Sequence, residues 1–114
     1  MPYLKITTNK SVDEPRKHRI LTVASKAVAD ALGKPEQYMM VSVDGPVQMT
    51  FGGSAEPCAH FDLRSIGLPE SKTAPLSKLL CQLAETELGV RPDRVYINFS
   101  DVPPSHWGWN GETF

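Results

Sequence analysis

Alternation of apolar and polar residues predicts strands in four stretches of the chain. The first runs from Pro2 to Thr8, where Leu4 and Ile6 alternate with more polar neighbours. The other three are β-rich or alternating runs at 38–44, 59–65 and 94–99. An additional short strand is expected from Val47 to Phe51, after a turn at Gly45 and Pro46.

Two apolar stripes with helical spacing predict two helices. The first is expected to begin at Ser11, which forms a capping box with Glu14, and to end at Gly33. The second is expected from about Ala74 to Leu88, and Gly89 closes it. The stripe residues are Ile20, Ala24, Ala27, Val28, Ala31 and Leu32 in the first helix, and Leu76, Leu79, Leu80, Leu83, Ala84 and Leu88 in the second.

The two halves of the chain repeat each other. The segment 33–41 parallels the segment 89–97, and each joins a predicted helix to a predicted strand. Each half is therefore strand–helix–strand, which indicates a right-handed β-α-β crossover. We predict an α+β fold, in which duplicated β-α-β units form one four-stranded mixed sheet with both helices on one face. Residues 1–114 are expected to form a single domain, with pseudo-repeats at about 2–57 and 58–114.

This arrangement leaves one face of the sheet without helices. In the run 38–43, Tyr38 and Met40 alternate with other apolar residues, so both faces of that strand look apolar. In the last strand, Val95 and Ile97 lie opposite Tyr96. Strands that are apolar on both faces are usually covered on both faces. We therefore expect another subunit to cover the free face.

Composition excludes several classes of function. The net charge is −1, with no block of like charges, which argues against binding to nucleic acid or to an anionic membrane surface. No signal peptide and no membrane-spanning run are recognised, and the two cysteines do not form a disulfide framework. We expect a cytoplasmic protein with reduced cysteines, for which non-classical secretion stays open. His18, His60 and His106 lack metal-ligand spacing, and no metal or other cofactor is expected.

Several segments, spread over nearly the whole chain, resemble the macrophage migration inhibitory factor family of the tautomerase superfamily. They are Pro2 directly after Met1, Gly33-Lys34-Pro35 with Tyr38, Phe51-Gly52-Gly53-Ser54 with Glu56-Pro57-Cys58-Ala59, Ser65-Ile66-Gly67, Ser77-Lys78-Leu79-Leu80-Cys81, Pro92-Asp93-Arg94-Val95-Tyr96-Ile97-Asn98 and Gly108-Trp109-Asn110. The resemblance implies a homotrimer. It also implies keto–enol tautomerisation of phenylpyruvate-type aromatic 2-oxo acids.

The resemblance also implies roles for individual residues at the functional site. Pro2 matches the catalytic base, while Lys34 and the backbone amide of Ile66, at the Ser65-Ile66 strand end, match the groups that hold the substrate carboxylate. Tyr96 and Asn98 match pocket residues supplied by the neighbouring subunit. The aromatic residues matching positions at or near the pocket are Tyr38, Trp109 and Phe114, with Tyr3 and Trp107 as unusual residues that would reshape its mouth.

These residue types suit a tautomerase, which needs a group that takes and returns a proton near neutral pH. Removal of Met1 would give Pro2 a secondary amine. Burial in an apolar pocket and the charge of Lys34 would both lower the pKa of that amine. Lys34 offers a cation for a carboxylate, while Tyr96 and Asn98 offer hydrogen bonds to the developing oxygen charge. If Met1 stays attached, the proline nitrogen is an amide and cannot act as a base.

Two other functions stay open. One is a cytokine-like binding protein, in which the pocket is incidental and the receptor is not identified. The other is a thiol oxidoreductase, because vertebrate members of the family carry a Cys-x-x-Cys pair at this point. Here the segment is Cys58-Ala59-His60-Phe61, so the second thiol is missing and the redox function is disfavoured.

Overall fold

The computed structural model describes all 114 residues. Its main strands are β1 (Pro2–Thr8), β2 (Met40–Asp44), β3 (Ala59–Ser65) and β4 (Val95–Asp101). They form one four-stranded sheet in the order β2-β1-β3-β4. Within each half the strands are parallel, β1 with β2 and β3 with β4, whereas β1 and β3 are antiparallel. The predicted mixed sheet of two β-α-β units is confirmed.

A helix joins the two strands of each half. Helix α1 spans Glu14–Leu32, and helix α2 spans Thr73–Leu83 and continues as a π-helical turn, Ala84–Leu88. Gly33 and Gly89 end these helices with left-handed φ angles of 68° and 67°, a conformation that glycine adopts without a steric penalty. Neither helix combines the length and the apolar character needed to cross a membrane.

The first helix begins later than the sequence pattern indicates. The N-cap residue is Asp13, whose carboxylate accepts a hydrogen bond from the Arg16 amide at 2.8 Å. The predicted capping box of Ser11 and Glu14 is therefore wrong. A carboxylate at the cap both pairs with a free amide and lies at the positive end of the helix dipole, which favours Asp13 over Ser11.

Two predicted strands begin later in the structure, because short 3₁₀ turns precede them. Glu36–Tyr38 form one such turn, so Tyr38 lies outside β2. Pro92–Arg94 form the other, so Arg94 lies outside β4. Both turns follow the helix ends at Gly33 and Gly89 and contribute no residue to the sheet.

The predicted strand at 47–51 does not form. Its only β-type contact is an isolated bridge between Phe51 and Ser54. Side chains from elsewhere bind this segment instead: Asn9 donates to the Met49 carbonyl and Arg94 donates to the Phe51 carbonyl. Because these polar groups already have partners, the segment does not need to join a sheet.

The core lies between the sheet and the two helices. Leu4, Ile6, Phe61 and Leu63 project from the central strands into a cluster of 16 buried residues, which also contains from the helices Ile20, Ala24, Val28, Leu32, Leu76, Leu80, Ala84 and Leu88. In α1 the buried set differs slightly from the prediction. Ala29 is buried, whereas Ala27 is half-buried and Ala31 is exposed. The side of α1 that faces the sheet is thus narrower than the predicted stripe.

The other sheet face, called the open face below, is more polar than the sequence indicated. It carries Tyr3, Lys5, Thr7, Met40, Ser42, Asp44, His60, Asp62, Arg64, Tyr96, Asn98 and Ser100. The expectation of an apolar free face is wrong, because Val41 and Val43 lie in register with Leu4 and Ile6 and so face the core. An Asp62–Arg64 ion pair of 3.1 Å lies on this face.

The Asp13 cap can be tested by substitution. Asp13→Ala is expected to lower the free energy of unfolding by about 1 kcal/mol, because the Arg16 amide loses its partner. Ser11→Ala, at the exposed residue that the sequence suggested as the cap, is the matched control and is expected to cost less than about 0.5 kcal/mol. Urea denaturation at one protein concentration measures both. An equal loss in the two variants would contradict the assignment of Asp13.

Candidate functional site at the amino terminus of the sheet

A cavity of about 270 Å³ lies where β1 begins. Three parts of the chain enclose it: the first residues of β1, the segment that leads into β2, and the C-terminal tail. Its lining is mainly apolar, and consists of Met1, Pro2, Tyr3, Gln37, Tyr38, Met39, Met40, Trp107, Gly108, Trp109 and Phe114. A small site with apolar walls and few polar groups is typical of a pocket for a small organic ligand.

Pro2 is buried at the end of the cavity that adjoins the sheet. It is held there because it pairs with Ser65 across β1 and β3. Met1 precedes it and is half-buried. Burial, and secondarily the positive charge of Lys34, lowers the pKa of the Met1 amine below its ordinary value. The surroundings of this chain end therefore favour a neutral amine.

Lys34 follows the glycine that ends α1. Its Nζ donates a hydrogen bond to the Ile66 carbonyl oxygen at 2.9 Å, and the Ser65 hydroxyl donates to the same oxygen at 3.1 Å. Lys34 does not line the cavity itself. The structure therefore brings Pro2, Lys34, Ser65 and Ile66 together at one end of the sheet, with the lysine beside the cavity.

The C-terminal tail supplies much of the aromatic wall. It folds into a small hairpin of β5 (Gly108–Trp109) and β6 (Glu112–Thr113). The rings of Trp109 and Phe114 stack with centroids 5.9 Å apart and planes 16° apart. Of the six aromatic residues singled out from the sequence, all but Tyr96 border this cavity, namely Tyr3, Tyr38, Trp107, Trp109 and Phe114.

Tyr96 and Asn98 lie elsewhere in the chain. Both are exposed on the open face, whereas Pro2 is buried on the side of the sheet that faces the helices. Asp101, not Tyr96, lies in the row of Pro2 and Ser65, which places Tyr96 about 17 Å away along β4. A hydrogen bond of 2.7 Å joins His60 Nε2 to the carbonyl oxygen of the Asn98 side chain. A single chain does not bring these two residues to the cavity.

Sequence reasoning missed four residues that border the cavity: Gln37, Met39, Met40 and Gly108. A signal was available, because each is adjacent in the chain to an aromatic residue already selected or lies within two residues of it. Sequence reasoning also missed that Phe51 packs on Tyr96, with ring centroids 4.6 Å apart. That contact joins residues far apart in the chain, so no local pattern could have indicated it.

Comparisons with known proteins decide the family. The family model described as macrophage migration inhibitory factor matches residues 1–114. The chain belongs to the macrophage migration inhibitory factor family. It is 42% identical to the macrophage migration inhibitory factor of Rattus norvegicus over 118 aligned positions, which cover 100% of this chain and 99% of the relative. A homolog from Brugia malayi is also 42% identical, over 119 positions, with the same coverage.

Solved structures of the same family have the same fold. The homologue from Prochlorococcus marinus superimposes with a TM-score of 0.94 at 41% identity, covering 98% of both chains. The macrophage migration inhibitory factor of Toxoplasma gondii gives a TM-score of 0.92 at 37% identity, covering 98% of this chain and 99% of that one. The recognised family and its α+β fold are therefore confirmed, and with them membership of the tautomerase superfamily.

The thiols and acidic groups lie apart from the cavity. Cys58 is buried and unpaired, and Cys81 is half-buried and unpaired. Burial raises the pKa of the Cys81 thiol, which disfavours its reactive thiolate. Phe61, at the place of a second family thiol, is part of the core. No cluster of three or more His, Cys, Asp or Glu side chains is arranged to hold a metal ion.

The electrostatic effect of Lys34 can be measured directly on the chain that retains Met1. Lys34→Gln is expected to raise the pKa of the terminal amine, because a neighbouring positive charge destabilises the protonated form and its removal relieves that repulsion. The pKa should stay below the ordinary value, since burial is the larger cause. Lys34→Arg keeps the charge and is the matched control. NMR titration of the Met1 signals is the measurement, and an unchanged pKa in Lys34→Gln would contradict the assignment.

Proposed function

We propose that the chain, once Met1 is removed, is a keto–enol tautomerase for phenylpyruvate-type aromatic 2-oxo acids, with Pro2 as the general base. The observation that supports this most is the position of Pro2, which is buried at an apolar cavity beside a lysine. Membership of the family is consistent with isomerase chemistry. The substrate and the role of the proline are the specific parts of the proposal.

The environment of the terminal amine supports its use as a base. Burial and Lys34 already lower the pKa of the Met1 amine, and Pro2 lies deeper in the same site. A neutral proline nitrogen would take a proton from the carbon next to the substrate's keto group. The electron pair of that C–H bond would form the enol double bond, and the carbonyl π pair would move onto oxygen. The protonated proline would then deliver its proton to that oxygen, which gives the enol and leaves the amine neutral for the next turnover.

Lys34 is proposed to hold the substrate carboxylate. Its ammonium group has three N–H donors, one of which is bonded to the Ile66 carbonyl, so donors remain for an acid group. The Ile66 amide is proposed as a second donor. Ser65 stabilises the backbone at Ile66, because it is fully buried and its hydroxyl donates a hydrogen bond to the Ile66 carbonyl.

The aromatic ring of the substrate is proposed to lie against the stacked pair Trp109 and Phe114, with Tyr38 on the same wall. A ring in this position gains apolar burial and favourable aromatic contact. Tyr3 and Trp107 border the same 270 Å³ cavity. Their bulk favours a single-ring acid over larger substrates.

The site is proposed to be completed by a second chain in a homotrimer. Tyr96 and Asn98 face outward on the open face, about 17 Å and about 10 Å along β4 from the row that contains Pro2, and so are free to serve a neighbour's cavity. In that position the Tyr96 hydroxyl and the Asn98 amide would donate to the oxygen charge that develops during enolisation. We further propose that residues 1–114 form one domain per subunit, since a single sheet connects both halves.

The alternative proposal is a cytokine-like signalling protein that acts through a receptor. It is supported by the relatives, which are named for an effect on macrophage migration and match this chain over its full length. It would require a route out of the cytoplasm, such as non-classical secretion. Both functions are compatible with one fold, so the role of catalysis must be measured.

Pro2→Gly tests the proposed base. An ultraviolet assay with enol phenylpyruvate is expected to show a rate at least about 100-fold lower, because glycine leaves a more mobile primary amine. Intact-mass measurement must first show that Met1 is absent from both proteins. Pro75→Gly, an exposed proline in the first turn of α2, is the matched control and should keep the wild-type rate. A wild-type rate in Pro2→Gly would remove the proline from the mechanism.

Subunit complementation tests whether the site is shared. Pro2→Gly chains and chains carrying both Tyr96→Phe and Asn98→Ala are each expected to be nearly inactive alone. When the two are co-expressed with different tags, random assembly should restore about one quarter of the sites, because each site takes Pro2 from one chain and Tyr96 from another. Native mass measurement gives the number of subunits. Co-assembled oligomers that show no recovery would contradict a site built from two chains.

A further inference from the structure

Arg94 binds the loop at residues 51–57, called the 51–57 loop below, through its whole guanidinium group. Nη1 donates to the Phe51 carbonyl at 2.8 Å, and Nη2 donates to the carbonyls of Ser54 and Glu56 at 3.2 and 2.9 Å. Nε donates to the Pro57 carbonyl at 3.2 Å. All four acceptors are neutral backbone oxygens of one short loop.

This pattern differs from an ordinary surface ion pair. Arg91, three residues earlier, is an exposed arginine that pairs with the Asp93 carboxylate. Arg94 instead makes all four of its donor contacts to backbone carbonyls of a segment with little secondary structure. The planar fork of an arginine can bind several acceptors in a fixed geometry, which lysine cannot reproduce. Arg94 therefore fixes where the 51–57 loop lies relative to the start of β4.

The same arginine also contacts an aromatic ring. Its guanidinium carbon lies 5.1 Å from the centre of the Phe51 ring, within the range of a cation–π contact. Phe51 in turn packs on Tyr96, with ring centroids 4.6 Å apart and planes at 44°. Arg94, Phe51 and Tyr96 thus form a continuous row of contacts beside the start of β4.

The Tyr96 side chain needs such support. It is 67% exposed, so few contacts restrict its rotamers apart from the Phe51 ring. A freely rotating tyrosine would lose conformational entropy whenever it engaged a substrate. A ring already held in place would lose less, and the position of its hydroxyl would be defined before the substrate arrives.

We propose that Arg94 is a positioning residue for the reaction: through Phe51 it holds Tyr96 in the orientation used in the neighbouring subunit's site. This inference rests on the proposed tautomerase and its shared site. Arg94 itself contacts no reacting atom. Its effect on the rate passes through the Tyr96 hydroxyl and not through the Pro2 amine.

The proposal makes a specific kinetic prediction. Arg94→Gln is expected to lower kcat for enol phenylpyruvate by about tenfold, because a misplaced donor stabilises the developing oxygen charge less well. The pH at which the rate falls on the acid side should not move, since Pro2 keeps its surroundings. Arg91→Gln is the matched control, with the same substitution nearby, and should leave kcat unchanged.

Two further variants, Phe51→Leu and Tyr96→Phe, distinguish a loss of positioning from a general loss of structure. Phe51→Leu removes the ring but keeps every Arg94 hydrogen bond to the loop, since these go to backbone oxygens. It should lower kcat about as much as Arg94→Gln, and the double variant should also lose about tenfold rather than the product of the two effects. In a Tyr96→Phe background, which already lacks the hydroxyl, Arg94→Gln should change kcat by less than about twofold.

The outcomes are distinct. Effects of Arg94→Gln and Phe51→Leu that multiply, or an undiminished effect in the Tyr96→Phe background, would overturn the positioning role. An Arg94→Gln protein with lower thermal stability but wild-type kcat would overturn it as well. The Pro2→Gly assay tests the tautomerase proposal separately. A rate that depends on Pro2 but shows no coupling between Arg94 and Tyr96 would contradict the positioning role of Arg94 and leave the tautomerase proposal intact.

Discussion

The antiparallel pairing of β1 with β3 is the constraint on which the candidate site depends. It joins the two β-α-β halves and places Pro2 directly opposite Ser65. The residue next to the chain terminus, which is usually the most mobile part of a protein, is thereby fixed in the sheet and buried. An amine in that position loses hydration, which lowers its pKa. The pairing that completes the fold thus also buries the residue that is proposed as the base.

Helix ends supply the remaining groups of this site. The left-handed Gly33 turns the chain at the end of α1, so that Lys34 reaches the carbonyl of Ile66 just beyond β3. The lysine lies near the terminal amine and contributes to lowering its pKa. Since Lys34 follows α1 in the first half and Ile66 follows β3 in the second, the hydrogen bond between them forms only when the two halves pack together.

Elements that short-range periodicity determines were predicted from the sequence. The predictions failed where side chains from distant parts of the chain determine the local structure. Local patterns predicted the spans of β1 and β3, the glycines that end both helices, and the pairing of two β-α-β units. The 47–51 segment was misjudged because Asn9 and Arg94, remote in the chain, supply its hydrogen-bond partners. For the site, the aromatic wall was identified through the resemblance, whereas the Phe51–Tyr96 contact was not, because it joins a loop to a strand.

The polarity of the open face bears on which surface of the chain drives the assembly of subunits. A face that carries Lys5, Asp62 and Arg64 gains little from hydrophobic burial, so it does not by itself drive subunits together. The strand order leaves β2 and β4 as edges, with backbone groups available to another chain. Tyr96 lies on β4, so a neighbour that adds to this edge would approach the residue proposed to complete its cavity. Assembly through strand edges would therefore be compatible both with a polar free face and with the proposed division of the site between chains.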